Sequence, residues 1–162
     1  MNSISIVDRR RTDKSLSEFL PRDPEFNLLG NDEIEMLEKI MLVNNYSRGH
    51  TFKSSENIYL IIDGDVSISR KEESGCVHIE HMHTGDFFGL FSLFDNIKPT
   101  VKCTAAGSVR AALLPRNAFE LLFRSNIPLS LHIQQIIVKQ LRRKTTIQDS
   151  TSIEEAIPAS KA

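Results

Sequence analysis

The stretch Thr84-Gly85-Asp86-Phe87-Phe88-Gly89-Leu90-Phe91-Ser92-Leu93-Phe94-Asp95 decides how the chain is read. A Gly-Asp turn opens it, an aromatic pair and a second glycine follow, and a short apolar helical turn closes at Asp95-Asn96. Glycine before a helix start lets backbone approach a ligand closely, and the unpaired N–H groups at that start attract phosphate. The layout is that of a phosphate cradle.

Short strands lie on either side. Phe52, Tyr59, Ile61, Val66, Ile68, Val77 and Ile79 carry an apolar signal with partial alternation, punctuated by Gly49, Asp63-Gly64, Ser74-Gly75 and Gly85. Strands of this spacing with glycine turns predict an antiparallel sandwich or barrel. Residues 101–106 and 109–114 predict its closing strands. Further out, helices are expected at both ends. Ile34, Leu37, Ile40 and Met41 recur at helical spacing after the N-cap candidate Asn31, and Asn44-Asn45 ends that pattern. Phe119, Leu122 and Phe123 mark a second helix. Asn126 caps a third and longest, with Pro128 in its first turn and an apolar stripe of Leu129, Ile133, Ile136, Ile137 and Leu141. Residues 1–25 read as an arm, 26–146 as the domain and 147–162 as a disordered polar tail.

Three segments in this order resemble cyclic nucleotide-binding domains, the sensor module of the catabolite-activator family of bacterial regulators. Phe88-Gly89-Leu90-Phe91-Ser92-Leu93 resembles that family's phosphate-binding cassette. Residues 59–68 resemble its strand–turn–strand around a central glycine, and residues 113–119 its last strand running into a helix. The likeness covers roughly residues 28–146. It implies a jelly roll of double-stranded β-helix type, mainly β with flanking helices and a long C-terminal helix. It also implies a non-enzymatic regulatory role in signal transduction. The ligand positions it implies are Phe88, Gly89, Leu90, Phe91, Ser92, Leu93, Lys98 and Thr100.

Both side-chain anchors of the family's ligand are replaced. The glutamate that accepts the ribose hydroxyl falls at Leu90. The arginine that pairs with the cyclic phosphate falls at Pro99 or Thr100, depending on a one-residue gap. Lys98 and Lys102 lie near but lack the bidentate fork of arginine. Cyclic AMP and cyclic GMP are therefore expected to bind weakly or not at all, leaving action through protein–protein contacts. One alternative is a nucleotide sensor that uses the backbone amides of residues 89–92. An interaction module would instead dock through Leu90, Phe91 and Phe94. In the family the long helix pairs with its counterpart, so Leu129, Ile133, Ile136, Ile137 and Leu141 are the expected seam of a homodimer, with a plain intramolecular core as the alternative reading of Ile133, Ile136, Ile137 and Leu141.

Other constellations are less demanding. His81 and His83 share a strand face, as a metal pair in a cupin does, but the glutamate that should follow is replaced by Thr84-Gly85-Asp86. Polar strand-face histidines are the plainer reading, with no metal and no cofactor expected, and a cupin-like metal-binding protein is kept as the further alternative. Asp63 and Asp65 are explained by the turn at Gly64, and Ser92 has no histidine at a useful spacing. No catalytic group emerges.

The 162 residues carry a net charge of -1 and two cysteines, Cys76 and Cys103, in no metal spacing. Reduced thiols suit a cytoplasmic protein. A near-neutral chain exerts no general pull on nucleic acid or anionic lipid. Arg142-Arg143-Lys144 is a basic helix end, and the polar tail has no room for a recognition helix, so no DNA binding on its own and no membrane association are expected.

Overall fold

The computed structural model describes residues 15–24, 26–89 and 101–156. The chain opens with a helical turn α1 (Leu16–Phe19), continued as a tight turn over Leu20–Arg22, and then α2 (Asn31–Ile40). Strands β1 (Leu42–Tyr46), β2 (Asn57–Asp63), β3 (Val66–Glu72), β4 (Gly75–Met82), β5 (Phe87–Phe88), β6 (Val101–Ala105) and β7 (Val109–Pro115) follow. Helices α3 (Arg116–Ser125) and α4 (Ile127–Ala156) complete the described chain. The strands form a four-stranded sheet, β1-β7-β2-β5, and a three-stranded sheet, β4-β3-β6. All pairings are antiparallel, so this is the β-roll with flanking helices that the turn spacing predicts.

Strand β2, inside the four-stranded sheet, is buried on both faces, which explains why it reads Ile58-Tyr59-Leu60-Ile61-Ile62 without strict alternation. Tyr59 and Ile61 point into the roll, against Phe52, Val66, Met82, Cys103 and Ala111. Ile58, Leu60 and Ile62 point outward into a second core built with the helices. Each fully buried aliphatic or aromatic side chain contributes about 1.5–3 kcal/mol.

Three boundaries differ from the sequence reading. The helical pattern stops at Ile40 rather than at Asn44-Asn45, because Leu42–Tyr46 pairs as a strand with β7. Tertiary pairing overrides the asparagines. Gly30, not Asn31, occupies the N-cap, and the Glu33 carboxylate accepts the Gly30 N–H at 2.9 Å. Residues 147–156, expected to be disordered, are helical as the continuation of α4. Once a helix is nucleated, each further residue adds a hydrogen bond, so a polar run does not stop it. In the segment read as an arm, Leu16, Phe19 and Leu20 are buried in the helix-side core.

Four of the five residues of the expected dimer seam are covered within the chain. Leu129, Ile133, Ile136 and Ile137 are at most 7% exposed and belong to the core of a single chain, with Leu37, Leu60, Phe87 and Leu122 in the same cluster. Leu141, the fifth member, is 47% exposed and lies off that face. Helical periodicity locates an apolar stripe but does not say whether its own domain or another copy covers it.

Candidate functional site

The described part of the cassette is its approach. Leu90, Phe91, Ser92, Leu93, Lys98, Pro99 and Thr100 lie outside the described residues, as does Phe94. Phe88 and Gly89 are described, and they show how the stretch is anchored.

The Thr84-Gly85 turn is closed by its own aspartate. Asp86 Oδ2 accepts the His83 N–H at 2.8 Å, and the Asp86 N–H donates to the His83 carbonyl at 3.0 Å. The Gly85 N–H donates to the Ile61 carbonyl, and the Ile61 N–H donates to the Asp86 carbonyl, so the turn is tied to the middle of β2. Strand β5 then pairs Tyr59 with Phe88 and Leu60 with Phe87.

Alternation along β5 sends the two phenylalanines to different cores. Phe88 stacks on Tyr59 with ring centres 4.8 Å apart and meets Phe52 edge-on at 5.0 Å, inside the roll. Phe87 turns outward to Phe26 at 5.8 Å, in the helix-side core. Burial pushes the Tyr59 phenol and the Cys103 thiol above their ordinary values, which keeps both neutral in this interior. Gly89 follows at φ +87, where a Cβ would lie 2.5 Å from the Asn57 carbonyl oxygen. Only glycine lets the chain leave β5 this close to β2.

The last helix is fastened to the same point. Gln140 is 2% exposed. Its Oε1 accepts the Phe87 N–H at 2.9 Å and its Nε2 donates to the Phe87 carbonyl at 2.7 Å. One side chain thus satisfies both backbone groups of a strand residue, as a neighbouring strand would. Beside it, Arg143 Nη2 donates to Asp86 Oδ1 at 2.6 Å, with the carboxylate 5% and the guanidinium 50% exposed. Asp86 therefore holds its own turn through one oxygen and α4 through the other.

Gln140, Asp86 and Arg143 were not among the expected site residues. A signal for Gln140 was present, since it falls three, four and seven residues after Ile137, Ile136 and Ile133, on the buried stripe. A polar side chain on such a stripe must find buried partners. Arg143 read as a basic helix end, and nothing in the sequence pairs it with Asp86.

The other candidates separate. His78, His81 and His83 are exposed. The His78 and His81 rings are 4.4 Å apart, and the His81 and His83 rings 6.4 Å. His83 Nδ1 bonds to Asp65 Oδ1 at 2.7 Å, so one of the two turn aspartates has a partner beyond the turn. His132 Nδ1 is bonded elsewhere, to Glu33 Oε1 of α2 at 2.9 Å. Among the described residues no group of three or more His, Cys, Asp or Glu side chains is placed so that it could hold a metal ion. No helix among them is long and apolar enough to cross a membrane.

Residues 50–126 match the family model of the cyclic nucleotide-binding domain. No curated protein sequence matches the chain significantly. Among solved structures, the chain is similar to the regulatory subunit of a cAMP-independent protein kinase A from Trypanosoma brucei. There the identity is 21% and the TM-score 0.62, over 82% of this chain and 47% of that one. It is similar also to the Thermus thermophilus catabolite activator protein, at 22% identity and TM-score 0.63, over 83% of this chain and 65% of that one. The N-terminal domain of a transcriptional regulator from Streptomyces coelicolor A3(2) aligns at 20% identity and TM-score 0.60, over 78% of this chain and 94% of that one. The chain thus spans about half the length of the first of these, and at such identities the likeness is one of fold. The roll and the glycine-framed approach to the cassette agree with that match of residues 50–126 to the cyclic nucleotide-binding domain, whose β-roll fold this chain has.

Proposed function

We propose that this chain is a regulatory module of the cyclic nucleotide-binding type that does not bind cyclic AMP or cyclic GMP tightly and works through protein contacts. The observation that carries this is the replacement of both ligand anchors. Leu90 stands where the family's glutamate accepts the ribose hydroxyl, and no arginine occurs between Leu90 and Arg110. Burying a cyclic phosphate is unfavourable by several kcal/mol unless its charge is paired. An apolar surface against the ribose leaves a hydroxyl unsatisfied, at about 1–3 kcal/mol. Losing a charge-assisted bidentate pair costs at least about as much again. Together these weaken binding by roughly two to four factors of ten.

The partner best supported is a second copy of the chain. With the Leu129–Ile137 stripe committed to the core, α4 still shows apolar residues outward. Ile127, Leu131, Val138 and Leu141 are 67, 52, 45 and 47% exposed. With exposed Gln134 they run in alternating steps of four and three, the spacing of a coiled-coil seam with one polar position. The family resemblance implies pairing through this helix, and the exposed stripe supplies a seam for it. The unit runs from α1 through α4. Both cysteines are unbridged, which supports a cytoplasmic setting.

Calorimetry with cyclic AMP and cyclic GMP tests the ligand side. Weak or undetectable binding is expected, strengthened by Leu90→Glu combined with Thr100→Arg, or with Pro99→Arg if the gap falls there. Low-micromolar binding to the unaltered chain would overturn the reading.

A further inference from the structure

We infer that the groove beside strand β1 is the docking site of the chain's own first residues. Residues 3–8 would join the sheet as a strand parallel to β1, with Ile4 and Ile6 on the apolar part of the groove and Asp8 against Arg110.

Strand β1 stands at the end of the four-stranded sheet, with β7 on one side and, among the described residues, no strand on the other. The outward N–H and C=O groups of such an edge are a template for a further strand. Val43 packs against the helix-side core, and its partner on β7, Ala112, belongs to that core. Asn45 lies two residues on, so it and its partner Arg110 share this face of the sheet. On the same side lies a groove of about 610 Å³, bounded by β1, the start of α1 and the end of α2. Leu16, Met41 and Val43 give it an apolar part, and Asn45 and Arg110 a polar end. Glu38 also lines it, but its Oε1 is turned to α1, where it accepts the Ser17 N–H at 2.8 Å.

The first fourteen residues lie outside the described ones and lead directly into Ser15, which lines this groove. Their sequence Ser3-Ile4-Ser5-Ile6-Val7-Asp8 alternates, and isoleucine and valine favour strands. Alternation sets Ile4, Ile6 and Asp8 on one face. Along the groove side the order is Met41, extended just ahead of β1, then Val43, then Asn45 with Arg110 beside it. A parallel register matches the two series. Ile4 meets Met41, Ile6 meets Val43, and the Asp8 carboxylate accepts a charge-assisted hydrogen bond from Arg110. An antiparallel register would set Asp8 against Met41 and Ile4 against Arg110. Parallel strands need a crossover of a dozen or more residues, and residues 9–41 supply one that contains α1 and α2. Residues 9–14 can span up to roughly 20 Å, enough to return from the Asn45 end of the groove to Ser15. The docked segment closes an edge that would otherwise invite another chain.

The test is hydrogen exchange on the full chain, read by mass spectrometry and NMR. Amides of residues 4–8 should exchange at least tenfold more slowly than an unstructured chain of the same sequence. Exchange at the unstructured rate would overturn the docking. Ile4→Ser with Ile6→Ser leaves the residues of both cores intact. It should return residues 4–8 to the unstructured rate and speed exchange of the outward β1 amides at least tenfold, with β3 unchanged. Unaltered exchange in β1 would overturn β1 as the site. Arg110→Gln should speed exchange of residues 4–8 at least threefold, and no effect would remove Asp8 from Arg110. Methyl contacts of Ile4 with Met41 and of Ile6 with Val43 are expected, and contacts of Ile4 with Asn45 instead would overturn the parallel register. Protection that is lost on dilution would assign the segment to another copy and overturn docking within one chain.

Discussion

The last helix has two apolar faces with opposite surroundings. One carries Leu129, Ile133, Ile136 and Ile137, at most 7% exposed, against the helix-side core. The other carries Ile127, Leu131, Val138 and Leu141, about half in water. Both are aliphatic and both recur at helical spacing, so composition cannot rank them. Gln140 does. It sits on the inward face, 2% exposed, with its amide oxygen and nitrogen both used on Phe87. A polar residue whose donor and acceptor are both satisfied marks a face fixed by its own chain. The outward face carries Gln134 in a comparable position, exposed.

The strongest way to break this contrast is to truncate one residue on each face. Ile136→Ala empties a fully buried position and should destabilise the protein by about 2–5 kcal/mol in urea unfolding. Leu131→Ala should change stability of the isolated chain by less than about 0.5 kcal/mol. Equal losses would mean that the two faces are not distinct.

A sharper probe removes the amide and keeps the volume. Gln140→Leu leaves the buried Phe87 N–H and carbonyl without their partner, a net loss of about 2 kcal/mol. Hydrogen exchange should show it locally, with faster exchange of the Phe87 amide than of its neighbours in β2. Uniform acceleration would show that Gln140 does not act at that strand. Arg143→Gln should cost less, about 1 kcal/mol, because the guanidinium is half exposed while Asp86 keeps its bond from the His83 N–H. A change as large as that of Gln140→Leu would make the ion pair, not the amide, the principal fastening.

The roll was legible because turn glycines and β-rich runs are local signals. Gly64 and Gly85 fall between strands, and Gly75 opens β4. Strand β1 was not, because its hydrogen bonds come from β7, about seventy residues on, and Asn44-Asn45 locally favours a break. The cassette could be recognised from Phe88-Gly89 onward, but its anchoring could not. Asp86 to Arg143 and Phe87 to Gln140 span 57 and 53 residues, and no local pattern encodes such pairs. The row of exposed histidines was half legible. His81 and His83 follow from strand alternation, whereas His78 joins them only through a bulge that period-two reasoning assumes away.

The smallest effect on the folded chain should come from the outward face, and there the consequence lies in assembly. Leu131→Lys with Val138→Lys places two charges on positions 52 and 45% exposed. Neither is core, so unfolding of the isolated chain should shift by no more than about 0.5 kcal/mol. In a paired helix the same two positions would lie at the centre of the seam, where an ammonium must be desolvated without a counter-charge, at a cost of several kcal/mol. The proposed seam from Ile127 to Leu141 amounts to about two heptads, short for a stable coiled coil. The parent dimer should therefore be of about micromolar strength and concentration-dependent in sedimentation velocity. The double variant should sediment as a monomer at every concentration while keeping the parent's circular dichroism. A variant that sediments as the parent does would remove this seam. The opposite pair, Ile136→Lys with Ile137→Lys, should fail to fold rather than dissociate, because those residues are already covered by their own chain.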